Sequence, residues 1–211
     1  LQLVGGSSQN SLITADDGTA TNTFTAGGGF LVWSLFSSAQ SRIVVLAEGV
    51  LFAGNQLYTR GVYAQYVQAG GGALLMFATY ATVNLTLVNC TMTDNYVDVT
   101  DACYRTDRAV SCYAGGGAAL IGNNQVCPTN NPCVYVEACI IANNTVVADR
   151  VEAQALVAGG GGLLSTTQSE LVMLQSVLSG NKGRCCVMWC EVEPCVCVCV
   201  CVRVCVTGFK S

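Results

Sequence analysis

One short stretch occurs four times along this chain of 211 residues. It reads Ala-Gly-Gly-Gly, and its copies are residues 26–29, 69–72, 114–117 and 158–161. The first glycines of the four copies lie 43, 45 and 44 residues apart, and an apolar segment follows each copy. Self-similarity at a fixed period is typical of repeat proteins, in which each repeat packs on its neighbours.

A second motif keeps step with the glycines. Each block is followed by an apolar segment that ends in an asparagine, and the four asparagines are Asn55, Asn95, Asn144 and Asn181. Before each asparagine, apolar residues recur in pairs that are two residues apart, which is the period of a strand. These segments are rich in Val, Ile and Thr, and no 3.6-residue period fits them.

The two motifs predict an all-β fold, a right-handed parallel β-helix (solenoid) of about four coils plus a partial one. We expect one coil per repeat, and the alternative is two compact coils per repeat. Asparagine tolerates positive φ and bonds to local backbone, so we expect the four asparagines at one turn of successive coils, where their amides form a ladder. We expect the glycines to provide positive φ or close backbone approach between coils.

The paired motifs resemble the GGA(I/L) and FxxN repeats of the chlamydial polymorphic outer membrane proteins. Related repeats occur in other pectin-lyase-like, right-handed β-helix surface proteins. The resemblance spans residues 27–181; residues 52–55 match FxxN literally, whereas Met92, Ile141 and Leu178 replace the phenylalanine in the other copies. The resemblance implies an adhesin-like domain that is extracellular or at the cell surface, and it carries over no catalytic residue.

Composition excludes several classes of function. Charged residues make up 10% of the chain and the net charge is −4, without the basic patch that a nucleic-acid-binding protein carries. No run of about 20 apolar residues is present, so we predict no membrane span in this fragment. The chain begins at Leu1 without a signal peptide, and we expect it to be part of a longer protein in which residues 1–26 complete a preceding coil.

Three segments lie between an asparagine and the next glycine block: 56–68, 96–113 and 145–157. We expect them to be excursions from the coils, with an added strand in the first and the last. The middle segment carries five charges: Asp98, Asp101, Arg105, Asp107 and Arg108. Because loops on a repetitive scaffold usually carry function, residues 96–113 are the predicted recognition surface. A calcium site at Asp16 and Asp17 is a weaker alternative, since these residues are typical of a turn.

Cysteines divide the chain, with six in the repeats and eight after Arg184. The spacing of Cys103 and Cys112, and of Cys127 and Cys133, predicts two small disulfide loops and hence an oxidising compartment. Two further cysteines share a position five residues before the asparagine, and we expect them to stack inward about 5 Å apart, with buried free thiols as the alternative. They are Cys90 and Cys139. Glycosylation at Asn143, within an Asn-Asn-Thr sequence, is a further prediction.

The sequence changes character after residue 184. Residues 195–202 alternate strictly between Cys and Val, as a translated GT dinucleotide repeat would, and no further glycine block follows. We therefore divide the chain into a β-helix repeat fragment, 1–184, and a low-complexity Val/Cys tail, 185–211, interpreted as non-native translated sequence. The alternative is a soft-metal site of cysteine thiolates, although strict alternation places the thiols on one face of a strand.

The chain contains no histidine, which excludes Ser-His-Asp and Cys-His catalysis and mixed histidine metal sites in this fragment. Glu48 and Glu137 share a register position but lie two coils apart. We therefore predict no catalytic residue, cofactor or metal, and a non-enzymatic surface or secreted domain for adhesin-like binding or scaffolding. A glycan or a surface protein is the expected partner. The alternative is a non-catalytic fragment of a carbohydrate-active, pectin-lyase-like β-helix enzyme.

Overall fold

The computed structural model describes residues 2–16, 19–26, 29–34, 42–78, 82–102, 111–123, 134–152, 155–159, 161–165, 171–189 and 196–198. The described elements are all β-strands, and every strand pairing among them is parallel. The chain visits five sheets in turn and then returns to the first. This cyclic order defines a parallel β-helix.

Three sheets contain the segments between each glycine block and its asparagine. Sheet A consists of β1 (Gln2–Val4), β6 (Arg42–Glu48), β11 (Thr82–Val88), β16 (Val134–Glu137) and β21 (Leu171–Leu174). Sheet B consists of β2 (Ser7–Gln9), β7 (Leu51–Ala53), β12 (Thr91–Thr93), β17 (Ile140–Ala142) and β22 (Val177–Ser179). Sheet E, directly after the glycines, consists of β5 (Phe30–Ser34), β10 (Leu74–Ala78), β15 (Ala119–Asn123) and β20 (Leu163–Ser165).

The other two sheets lie between each asparagine and the next glycine block. Sheet C consists of β3 (Leu12–Asp16), β8 (Gln56–Arg60), β13 (Tyr96–Thr100), β18 (Thr145–Glu152) and β23 (Lys182–Trp189). Sheet D consists of β4 (Thr19–Ala26), β9 (Tyr63–Gly70), β14 (Ser111–Gly115), β19 (Ala155–Gly159) and β24 (Val196–Val198). The expectation that these segments are excursions from the coils is therefore wrong, because they supply two of the five sides of each coil.

Each repeat forms one coil, which confirms the one-coil prediction. Coil 1 contains β1 to β5, coil 2 β6 to β10, coil 3 β11 to β15, coil 4 β16 to β20, and coil 5 the four described strands β21 to β24. This is the predicted fold of about four coils plus a partial one. Residues 1–26, expected to complete a preceding coil, contribute the first four strands of coil 1.

The core is made of stacked columns of inward-facing apolar side chains. In sheet A the column of Val45, Leu85 and Val134 is 1% exposed at each position, and register pairing links these residues directly. In sheet B the corresponding column is Phe52, Met92 and Ile141, again almost fully buried. Full burial of such a side chain stabilises the fold by roughly 1.5–3 kcal/mol. The apolar residues that recur two positions apart before each asparagine are therefore the inward-facing residues of the strands, and they stack from coil to coil.

The corners between sheets occur at residues with positive φ. The corner between sheets B and C has Asn10, Gly54, Asp94, Asn143 and Gly180, whose φ values lie at 55°, 64°, 56°, 55° and 64°. Each of these residues directly precedes the column position of the predicted asparagine. The ladder asparagines themselves are absent from the positive-φ residues, so their tolerance of positive φ is not the reason for their place at this turn. The residue before them makes the bend, and the asparagine side chain serves another purpose.

Sheet pairing continues beyond residue 184. β23 pairs with β18 through Trp189, with register shifts after Asp149 and Val151, and Val196–Val198 pairs with β19. The predicted boundary between 184 and 185 therefore falls inside a strand. The interpretation of residues 185–211 as non-native translated sequence stays a prediction.

Candidate functional site

The four predicted asparagines lie in one column at the corner between sheets B and C. The amide oxygen Oδ1 of Asn95 accepts hydrogen bonds from the backbone N–H and the Nδ2 of Asn55, at 3.1 and 3.0 Å. Asn144 does the same for Asn95, at 3.0 and 2.8 Å, and Asn181 does the same for Asn144, at 3.0 and 2.9 Å. In coil 1 the position belongs to Ser11, whose N–H donates to Asn55 Oδ1 at 3.1 Å.

The second proton of each of these amides is donated to a backbone carbonyl of the preceding coil, three positions before that coil's own asparagine. Asn95 Nδ2 donates to the carbonyl of Phe52 at 3.2 Å, and Asn144 Nδ2 donates to that of Met92 at 2.9 Å. Asn181 Nδ2 reaches Ile141 O at 2.8 Å. The amides are thus fully engaged in joining coils, and Asn55, Asn95 and Asn144 are 0% exposed. At Asn55, Asn95 and Asn144, the column therefore offers no exposed amide group for binding a ligand.

A second inward column contains the two cysteines that share a register position. Cys90 and Cys139 are each 1% exposed and are free thiols. The Cys90 N–H donates to Cys139 Sγ at 3.3 Å, and in the next coil the Cys139 N–H donates to Ser176 Oγ at 3.0 Å. A hydrogen bond from the Cys139 thiol lowers the pKa of Cys90 to about 7, and the same contact, together with burial, raises the pKa of Cys139.

The outward face of sheet C carries an aromatic and charged cluster that the sequence analysis missed. We call it the tyrosine–arginine cluster, and it consists of Tyr58, Arg60, Tyr96, Asp98 and Thr100. The two tyrosine rings lie on neighbouring coils with their centroids 5.6 Å apart. The Arg60 guanidinium lies 4.3 Å from the Tyr58 ring centroid, and its NH2 group is 2.6 Å from Asp98 Oδ2. Thr100 Oγ1 donates to the other Asp98 oxygen at 2.5 Å.

Local chemistry holds this cluster in place. Asp98 is only 6% exposed although it lies on an outward face, and its two carboxylate oxygens are held by Arg60 and Thr100. Burial raises the pKa of the Tyr96 phenol, and the nearby Asp98 carboxylate adds to the shift. Tyr96 therefore stays a neutral hydrogen-bond donor and acceptor over the physiological range. Gln56 accepts a hydrogen bond from the Tyr58 hydroxyl at 3.0 Å.

A count forward from the asparagines would have located the cluster. Tyr58 stands three residues after Asn55 and Asp98 three residues after Asn95, so both share one register position, as their pairing shows. The predicted recognition segment 96–113 therefore begins as strand β13 rather than as a loop. Its second carboxylate, Asp101, is exposed and paired with Arg150 NH2 at 2.6 Å in the next coil. Arg105, Asp107 and Arg108 lie outside the described residues.

The remaining predicted sites are placed as follows. Glu48 and Glu137 occupy one column of sheet A with Val88 between them, and Glu137 Oε2 accepts a hydrogen bond from Tyr135 at 2.9 Å. Asn143 is exposed at a corner, with φ 55°. Of the four cysteines predicted to form disulfide loops, Cys112 lies in strand β14, where only its backbone is described. The other three, Cys103, Cys127 and Cys133, lie outside the described residues, so both disulfide loops stay predictions. Asp16 ends β3, and Asp17 is not described.

Among the residues that the structure describes, no group of three or more His, Cys, Asp or Glu side chains is arranged to hold a metal ion. The same part of the chain contains no helix with the length and apolar character of a membrane span. Comparisons with protein-family models, with curated proteins and with solved structures found no match. The fold and the geometry of the columns and faces are therefore the whole basis for assigning a function.

Proposed function

We propose that this chain is part of a non-enzymatic β-helix that acts at the cell surface or outside the cell as an adhesin-like binding domain. The proposal includes the resemblance to the repeats of chlamydial polymorphic outer membrane proteins. The observation that carries it is the tyrosine–arginine cluster on the outward face of sheet C. A glycan or a surface protein is the proposed partner.

The cluster has the chemistry of a binding surface. Tyrosine offers a large apolar ring with a polar tip, and aromatic residues and arginine are enriched where proteins contact partners. Tyr58 and Tyr96 are held by strands β8 and β13, whose register is fixed by the asparagine column below them. A partner therefore meets rings that are already ordered, which reduces the entropy lost on binding.

A test compares two outward tyrosine sites on one protein. The full chain would be tested on a glycan array and on cell-surface protein extracts, together with a Tyr58→Ala/Tyr96→Ala variant and a Tyr135→Ala control. Tyr135 is also half-buried and bonded to a carboxylate, but it lies on sheet A. We expect the double variant to bind at least about tenfold more weakly, a loss of about 1.4 kcal/mol, and the control to bind normally.

Two results would count against the proposal. One is a chain that binds neither glycans nor surface proteins at micromolar concentration. The other is an equal loss of affinity in the Tyr135→Ala control, which would show that the loss does not depend on the cluster.

The second candidate is a carbohydrate-active β-helix enzyme that carries its own carboxylate pair, in contrast to the non-catalytic fragment named as the alternative in the sequence analysis, and one observation favours it. Glu48 and Glu137 share a column two coils apart, which places their backbones about 9–10 Å apart. Inverting glycosidases hold their two carboxyl groups about 6.5–9.5 Å apart. Release of reducing or unsaturated sugars from plant or algal polysaccharides, abolished by Glu48→Gln or Glu137→Gln, would establish this function instead. We expect no such release.

A further inference from the structure

The inward column between sheets A and B brings two cysteines, Cys90 and Cys139, into direct contact. Cys90 lies between β11 and β12, and Cys139 holds the same position between β16 and β17, as the pairing of Thr91 with Ile140 shows. Both sulfur atoms are buried, and the Cys90 N–H points at Cys139 Sγ from 3.3 Å. Their surroundings on the inward side are apolar, in the cluster that contains Val50, Met92 and Ile141.

We propose that Cys90 and Cys139 form a disulfide that links coil 3 to coil 4 inside the core. Neighbouring parallel strands lie about 4.8 Å apart, which falls within the Cα separation of about 4.4–6.8 Å that disulfides span. Both side chains are buried at equivalent positions of adjacent coils, so the bond requires no change of register. The link is independent of the proposed binding function.

The chemistry requires an oxidant, and a small-molecule disulfide of the glutathione type supplies it. The Cys90 thiolate attacks one sulfur of the small disulfide and releases a small thiolate. Cys139 then loses its proton to solvent and attacks the Cys90 sulfur, which releases the second small thiolate. The two cysteines lose two electrons and two protons, and one small disulfide becomes two small thiols.

The order of these steps follows from the two thiols. The contact between the two cysteines, which forms as the coils dock, lowers the pKa of Cys90 and raises that of Cys139, so Cys90 is the better attacking group at that stage. Because both sulfurs are 1% exposed in the folded chain, the reaction takes place while the coils are still docking. The resulting bond closes a loop between positions separated by 49 residues.

The column itself provides control variants. Ser176 occupies the same position in coil 5, and its hydroxyl accepts the Cys139 N–H at 3.0 Å. Cys139→Ser therefore keeps an acceptor for the Cys90 N–H while removing the sulfur. Val50 occupies the equivalent position in coil 2, which shows that this column accepts a valine side chain. Cys90→Val is therefore a second control variant.

The test is a peptide map of the full chain. The reduced, unfolded protein would be refolded with mixed oxidised and reduced glutathione, quenched with acid and alkylated. Combined cleavage at Lys and Arg, before Asp and after Glu isolates Cys90 on residues 61–93 and Cys139 on residues 138–148, with no other cysteine on either fragment. We expect the two fragments to be recovered mainly as one disulfide-linked species.

Further readouts decide the remaining outcomes. Cys139→Ser and Cys90→Val should lack the linked species, and their denaturant midpoints should rise less on oxidation than that of the unmutated chain. Recovery of both fragments as separate alkylated peptides would overturn the proposal, and so would linkage of either cysteine to a different cysteine. The map of the unmutated chain decides the question even if a variant fails to fold.

Discussion

At the residue scale, one amide per coil joins the coils at the corner between sheets B and C. The buried Asn95 amide accepts two hydrogen bonds from the preceding coil, donates one back to that coil and donates another to the next. A buried backbone N–H that lacks a partner costs about 1–3 kcal/mol, so the amide is needed wherever the corner leaves an N–H facing the core. The same logic explains why Cys139 and Ser176, with sulfur or oxygen acceptors, occupy the neighbouring column.

Asn95→Ala should be among the most destabilising single changes in the chain. It leaves the backbone N–H and the Nδ2 group of Asn55 without their acceptor in the core and removes one donor from the Phe52 carbonyl, and we expect a loss of about 2–6 kcal/mol from the two unpaired donors. Denaturant unfolding measures this loss. Asn181→Ala is the matched control, because Asn181 is only half-buried and water can replace its amide. A smaller loss for Asn95→Ala than for Asn181→Ala would contradict the role assigned to the column.

Thr59→Val should stabilise the protein. The Thr59 side chain is 0% exposed on the inward face of sheet C, and its Oγ1 has no hydrogen-bond partner. Valine has nearly the same shape and removes the desolvated hydroxyl, so we expect a gain of about 1 kcal/mol in the free energy of unfolding.

The control for this change lies on the neighbouring strand. Thr100 faces outward, and its hydroxyl donates to Asp98, so Thr100→Val should destabilise the protein by about 1 kcal/mol. Destabilisation by both variants would show that the Thr59 hydroxyl has a partner after all.

At the element scale, the glycine and asparagine motifs recur with the same period because their residues are in contact in the folded coils. A Cβ atom on Gly72 would lie 2.3 Å from the Gly117 carbonyl oxygen and 3.0 Å from Asn95 Cβ, and one on Gly117 would lie 2.2 Å from the Gly161 carbonyl and 3.1 Å from Asn144 Cβ. The glycine block is therefore the surface on which the asparagine column packs. Positive φ, the other expected role, holds at Gly71 and Gly116, with φ of 65° and 63°.

Gly72→Ala should disrupt the stacking of coils 2 and 3. The methyl group collides with a backbone carbonyl that cannot rotate away, and we expect a loss of about 3 kcal/mol or more in the free energy of unfolding. Gly49→Ala is the comparison, because Gly49 has φ 63° but open space where its Cβ would lie, so its cost should be only the left-handed strain of about 1–2 kcal/mol. An equal or smaller loss for Gly72→Ala would show that the coils can move apart there.

The sequence predicted sheets A, B and E because the glycine and asparagine motifs bracket them in every coil. Sheets C and D were expected to be excursions, since their segments differ in length between coils and carry polar residues such as Thr59 and Asp98. Strand register in a stacked coil depends on the coil next to it, which a single segment does not reveal. Alignment of the glycine blocks also gives the wrong register for coil 1, by one residue. Gly70 pairs with Gly115 in the next coil, as the alignment predicts, but with Ala26 in coil 1 rather than with the first glycine of that block.

At the scale of the whole molecule, the described coils make one continuous parallel stack in which every inner coil depends on two neighbours. Such a solenoid is stabilised by interfaces between adjacent repeats, so its stability is set by how many coils are complete. The sequence interpretation and the structure differ in where coil 5 ends. The sequence places the end of the native coils at residue 184, whereas the pairing of β23 with β18 reaches Trp189.

Three chain lengths distinguish the two possibilities: residues 1–184, residues 1–189 and the full chain, all unfolded under reducing conditions. Removal of 185–189 takes away five of the eight residues of β23 and exposes the edge of β18 from Ala148 to Glu152. The lost backbone hydrogen bonds contribute about 0.5–1.5 kcal/mol each, so we expect residues 1–184 to be about 2 kcal/mol less stable than residues 1–189. Residues 1–189 should lie within about 1 kcal/mol of the full chain, because only the three residues of β24 pair beyond that point in the described part of the chain. Equal midpoints for 1–184 and 1–189 would instead support the sequence boundary, and would mean that residues 185–189 add no stability to the coil on which they lie.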